Sequence, residues 1–120
     1  MGKSPEELLE SVIKAADEKR AKNIIALDMK GLSIMSDYNV ITHASNARLI
    51  NAIAEAVVEA GSKLGYEVKN IEGKKTGNWL LIDLGSIIVH VFSEGERKHY
   101  QLEDLWSEAE NIDLSDWVTE

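Results

Sequence analysis

The stretch Trp79-Leu80-Leu81-Ile82-Asp83-Leu84-Gly85-Ser86-Ile87-Ile88-Val89-His90-Val91-Phe92 decides the fold of this 120-residue chain. It is nearly all apolar, rich in β-branched residues, and broken at its middle by Gly85-Ser86, so it reads as a β-hairpin. Successive side chains of a strand point to opposite faces. With a two- or four-residue turn, residue 83 lies opposite 86 or 88, and odd positions of the first strand share a face with even positions of the second. One face then carries Leu80, Ile82, Leu84, Ile87, Val89 and Val91. It is wholly aliphatic and is predicted to be core. The other carries Trp79, Leu81, Asp83, Ile88, His90 and Phe92, a mixture that is either partly covered by a helix or offered to a partner. A three-residue turn would break this assignment.

Outward from the hairpin, the chain alternates helix and strand signals. Ser4-Pro5-Glu6-Glu7 reads as a capped helix start, with Ser4 at the N-cap, Pro5 at the first helical position and Glu7 completing a capping box. Leu8, Leu9, Val12, Ile13 and Ala16 recur at helical spacing behind it, and the helix is expected to reach Arg20. Asn23 to Met29 and Tyr38 to Thr42 read as strands with a turn at Lys30-Gly31. Ser45 is expected to cap a second helix with a buried stripe of Ile50, Ile53, Val57, Ala60 and Leu64, stopped at Gly65. Tyr66 to Ile71 is a weaker strand. Residues 94–106 read as short helices or helical turns, and the acidic stretch from Asn111, with Leu114, Trp117 and Val118, as a segment docked loosely on the body. The order α, β, β, α, β, β, β predicts one α+β or α/β layer structure with a mixed sheet.

Composition narrows the chemistry. Hydrophobic residues are 44% of the chain and charged residues 28%, as in folded globular domains. There is no cysteine, hence no disulfide framework and no thiolate nucleophile or metal ligand. The net charge of -8 argues against binding held mainly by nucleic-acid phosphates and suits a basic protein partner. No apolar run reaches the roughly 18 residues of a membrane span. Glu72-Gly73-Lys74-Lys75-Thr76-Gly77-Asn78 lacks the spacing of a phosphate loop. Asp28, Asp37 and Asp83 stand at strand ends, where converging acids can hold a divalent metal, although such acids more often accept backbone N–H bonds in turns. His43, His90 and His99 lack the short helical spacing of a zinc pair. No serine sits in a nucleophile elbow. The aromatics weigh more: Trp79, Tyr100 and Trp106 fall in or just after the hairpin, and tryptophan, tyrosine and arginine are the usual anchors of protein interfaces.

A family resemblance rests on particular residues. Ile24-Ile25-Ala26-Leu27-Asp28, Ser36-Asp37-Tyr38, Ser45-Asn46 and Glu72-Gly73 occur in order. The hairpin follows, and then Arg97 and Tyr100-Gln101-Leu102-Glu103-Asp104-Leu105-Trp106. In these the chain resembles the ribosomal silencing factor family, also called the Iojap family. His43-Ala44 stands where that family usually carries a glycine before the second helix. The resemblance implies a nucleotidyltransferase-like fold of about five strands flanked by helices. It implies a single domain over 1–120, with its core at about 5–108 and an acidic tail at 109–120. It implies no catalysis, no cofactor and no metal. The implied partner is the large ribosomal subunit through its fourteenth protein, with little direct RNA contact, no membrane, a cytoplasmic location and a homodimer when free. Binding there would block joining of the small subunit and lower translation when nutrients are scarce. Trp79, Leu81, Asp83, His90, Arg97, Tyr100, Leu102 and Trp106 match the family's contact region. Two other readings stand beside it: a small metal-dependent nucleotidyltransferase-like enzyme using Asp28, Asp37 and Asp83 with magnesium, and a large-subunit assembly factor using the same surface.

Overall fold

Strand β2 (Tyr38–Ala44) is buried along its whole length, because it runs through the middle of a six-stranded sheet with side chains packed on both faces. The computed structural model describes residues 4–31, 36–73, 79–93 and 110–118, with Asn111 described by its backbone. The other strands are β1 (Lys22–Asp28), β3 (Asn70–Glu72), β4 (Trp79–Asp83), β5 (Ile87–Ser93) and β6 (Glu110–Asn111), in the spatial order β3-β4-β5-β2-β1-β6. β2 and β5 are parallel, and every other neighbouring pair is antiparallel. The architecture is the expected α+β mixed sheet. It gains one strand over the five foreseen, because the stretch expected to dock loosely instead adds β6 to the edge of β1, where the Ile112 N–H donates to the Ala26 carbonyl at 2.9 Å.

Helix α1 (Pro5–Glu18) starts where the sequence says it should: the Ser4 hydroxyl accepts from the Glu7 N–H at 3.2 Å. The Glu7 carboxylate meets the Ser4 hydroxyl at 3.4 Å. The helix stops two residues short of Arg20, which turns into the left-handed region at φ 66 beyond the Lys19 cap. Helix α2 (Ala47–Lys63) is capped by Asn46 and not by Ser45; the Asn46 Oδ1 accepts from the Leu49 N–H at 2.9 Å. β2 continues to Ala44, two residues beyond its expected end, so Ser45 falls one place too early to reach the helix's free N–H groups. Gly65, at φ 87 just past the Leu64 cap, supplies the expected stop. The buried stripe of α2 is Ile50, Ile53, Ala54, Val57 and Gly61, while Ala60 and Leu64 are half-buried. The expected strand from Tyr66 shrinks to β3 because Tyr66 is drawn back to the helix end, its N–H donating to the Gly61 carbonyl.

Both helices pack on one face of the sheet. Leu8, Val12 and Ile13 of α1 and Ile50, Ile53 and Val57 of α2 meet Val40, Ile82 and Val89, and Leu114 joins the same cluster. A second, smaller apolar cluster of Leu27, Met29, Ile41 and Phe92 lies apart from it, on side chains of the opposite parity. The helical turns expected over 94–106 lie outside the described residues.

Candidate partner-binding face

The hairpin closes through a four-residue turn: Asp83 lies opposite Ile88, and the Leu84 N–H donates to the Ile87 carbonyl at 2.9 Å. The parity is therefore the expected one. Leu80, Ile82, Leu84, Ile87, Val89 and Val91 are each at most 1% exposed. On the mixed face the paired residues are Trp79 with Phe92, Leu81 with His90, and Asp83 with Ile88.

Exposure across the mixed face is graded. Towards the middle of the sheet, Leu27, Asn39, Ile41, His43, His90 and Phe92 are buried. Trp79, Leu81 and Asp83 on β4, and Ile88 on β5, are half-buried, and Asn70 and Glu72 on β3 are exposed. Trp79 stacks on Phe92 with ring centroids 5.1 Å apart and planes 22° from parallel. His90 lies 6.2 Å from each of these rings. Burial lowers the His90 pKa from 6.5 to about 4, so the imidazole is neutral at pH 7.

Four of the eight site residues read from the sequence can therefore be placed. Trp79, Leu81 and Asp83 form one half-exposed row along β4. His90 lies beside that row on β5, opposite Leu81, and is buried. Arg97, Tyr100, Leu102 and Trp106 lie outside the described residues. Ile88 belongs to the same patch by position and exposure, and the parity argument already put it there. Asp83 has a local task as well: its Oδ1 accepts from the Gly85 N–H at 2.8 Å, which fixes the turn. Gly73, at φ 90, lets β3 pass against the start of β4, since a Cβ there would collide with the Trp79 carbonyl oxygen.

Asp28, Asp37 and Asp83 do lie at one end of the sheet, as a metal-dependent enzyme would need. Yet β5 and β2 stand between Asp83 and Asp28, which at about 4.8 Å per strand puts them about 14 Å apart. Asp28 accepts from the Lys30 N–H at 2.9 Å, so it and Asp83 serve their own turns. Among the described residues no three acids or histidines gather as metal ligands. A hollow of about 570 Å³ lined by Ser36, Asp37, Lys69, Asp83 and Ser86 lies at this end.

Fold and face together define a small α+β domain with both described helices on one side of a mixed sheet and a patch of aromatic, aliphatic and acidic side chains at the edge of the other. The family model described as "Ribosomal silencing factor during starvation" matches residues 2–120, and the chain belongs to that family. It is 40% identical over 111 residues to the ribosomal silencing factor of Halalkalibacterium halodurans, covering 92% of this chain and 95% of that one. A crystal structure of a Bacillus halodurans protein superposes with a TM-score of 0.80 at 38% identity, covering 91% of this chain and 99% of that one. More distant is the mouse protein named "Mitochondrial assembly of ribosomal large subunit protein 1", 26% identical over 102 residues, which are 82% of this chain and 45% of that protein.

Proposed function

We propose that this protein binds the large ribosomal subunit through its fourteenth protein and, by occupying that surface, keeps the small subunit from joining. The observation that carries the reading is the family match across residues 2–120. The mouse relative, named for assembly of a ribosomal large subunit, points to the same partner. The contact surface is the β4 row of Trp79, Leu81 and Asp83, with His90 beside it on β5, and the family resemblance assigns Arg97, Tyr100, Leu102 and Trp106 to the same contact.

Such a block acts by excluded volume and needs no bond-making step. An interface of about 800 Å² per partner is enough for specific binding. A net charge of -8 speeds approach to a basic ribosomal protein while discouraging broad contact with RNA. The separation of Asp28 from Asp83 weighs against the metal-dependent alternative. The mouse relative's name supports an assembly role as a second reading, one that differs in timing and not in surface.

Co-sedimentation with separated ribosomal subunits tests the proposal. The protein is expected in the large-subunit fraction, with fewer whole ribosomes formed. Truncating Trp79 and Tyr100 to Ala should each weaken binding by about 2 kcal/mol or more, as for buried aromatic anchors. If the folded double variant still binds and still blocks joining, the assigned surface is wrong.

A further inference from the structure

Strand β3 lies along the outer side of β4 and widens the mixed face by one strand. Glu72 stands directly opposite Leu81, and Asn70 directly opposite Asp83, so both side chains belong to that face. Ile71 between them turns the other way and packs against the main core. Asn70 and Glu72 are exposed, and the Asn70 Nδ2 donates to the Glu72 Oε2 at 2.8 Å. One oxygen of the Glu72 carboxylate is thus held. Asp83 is held in the same way, by the Gly85 N–H. Among the described residues no cation pairs with either carboxylate. The next residue, Gly73, passes so close to the Trp79 carbonyl oxygen that the start of β4 and the end of β3 are fixed relative to each other.

Glu72 and Asp83 therefore stand at diagonal positions of neighbouring strands, with Cα atoms about 7–8 Å apart, and Leu81 lies between them. A guanidinium can donate to two carboxylates at once through its planar fork, while the aliphatic stem of an arginine packs on a leucine. An ion pair on an open surface contributes little, but a partner seated on Trp79 and Leu81 removes water from this corner and strengthens it. A carboxylate already held by an amide also has less rotamer freedom to lose on association. A nucleic-acid phosphate at the same place would meet two negative charges.

We propose that Glu72, oriented by Asn70, is a specificity-determining residue of the β4 surface and receives a basic side chain of the ribosomal protein, arginine being the better fit to the two carboxylates. The inference rests on the partner-binding reading of the β4 row. Glu72→Gln removes the charge and keeps an oxygen for the Asn70 amide, so it isolates the electrostatic part.

The test is titration of the full chain with isolated large ribosomal subunits, read by co-sedimentation at low and high potassium chloride, with circular dichroism melts to follow the fold. E72Q should raise Kd about tenfold at low salt. Its salt dependence should be shallower than that of the wild type, and its melt unchanged. Asn70→Ala should weaken wild-type binding severalfold and have no further effect in the E72Q background. Trp79→Ala is the control. If W79A weakens binding and E72Q does not, the role of Glu72 is overturned and the β4 surface stands. If neither weakens binding, the surface is misplaced and Glu72 with it. Tighter binding by E72Q would mean that the carboxylate meets an RNA phosphate, which overturns the basic side chain. Equal weakening by N70A in both backgrounds overturns the orienting role of Asn70.

Discussion

Lowering the pH from 7 to 4 should destabilise this protein through His90 by a predictable amount. In the unfolded chain its imidazole titrates at the ordinary 6.5, and in the folded protein burial holds it at about 4. Between those values the unfolded state binds a proton that the native state refuses, so stability falls as pH falls through that window. Above 6.5 neither state is protonated, the burial costs nothing in linkage, and the full stability is present. Below 4 both states are protonated and the loss stops growing. At about 1.4 kcal/mol per pH unit, the loss accumulated between pH 7 and pH 4 is about 3 kcal/mol. That is a large share of the 5–15 kcal/mol typical of a domain. Carboxylates titrate over the same range, so the measurement is a difference. Urea denaturation of the wild type and of His90→Gln, at pH 7, 5.5 and 4, should show the wild type losing about 3 kcal/mol more than the variant. A difference that stays constant across the three pH values would refute the neutral buried imidazole.

Three further outcomes follow from the hairpin. Ile82→Ala, on the wholly buried face, should cost about 2–5 kcal/mol in urea denaturation, whereas Leu81→Ala next to it should cost about 1 kcal/mol or less, because that side chain is half in water already. Gly73→Ala should cost at least about 1 kcal/mol and shift the tryptophan fluorescence, since the added Cβ drives the start of β4 away and forces an alanine to positive φ. Asp83→Ala should lose about 1 kcal/mol with the bond to the Gly85 N–H, while Asp83→Asn, which keeps an acceptor oxygen there, should retain most of it in thermal melts.

How far the sequence could be read depended on how local the cause was. The two faces of the hairpin were legible because alternation is a property of the backbone, and the turn length was the only unknown. The start of α1 was legible for the same reason: Ser4, Pro5 and Glu7 act within one turn. The cap of α2 was misassigned because it depends on where β2 ends, and β2 runs on to Ala44 through pairing with β1 and β5, strands far away in the chain. β6 was missed because two residues carry no periodicity; only the open edge of β1 turns them into a strand. Asp28 and Asp83 looked like partners because both end strands. The strand order, which places β5 and β2 between them, is not a local property. For the candidate site, the parity of Trp79, Leu81 and Asp83 was legible in the sequence and the depth of His90 was not. Depth is not fixed by strand or parity, since Ile88 on the same strand and face as His90 is half-buried.

That gradation of depth bears on the proposed use of the patch as a binding surface. The aliphatic face of the hairpin packs β4 and β5 against the helices, and on the mixed face the second cluster buries Phe92, which leaves the half-exposed row of β4 with the smaller structural share. Trp79 is nevertheless held in place, stacked on the buried Phe92. A large side chain fixed in this way loses little rotamer freedom when a partner arrives, and that lost freedom is one of the main costs of association. In the interface proposed above, Phe92 and His90 act by fixing the tryptophan, while Leu81, Asp83 and Ile88 set the shape and charge beside it. Substitutions in the back row should change how firmly the surface is presented, and substitutions in the front row should change what it fits.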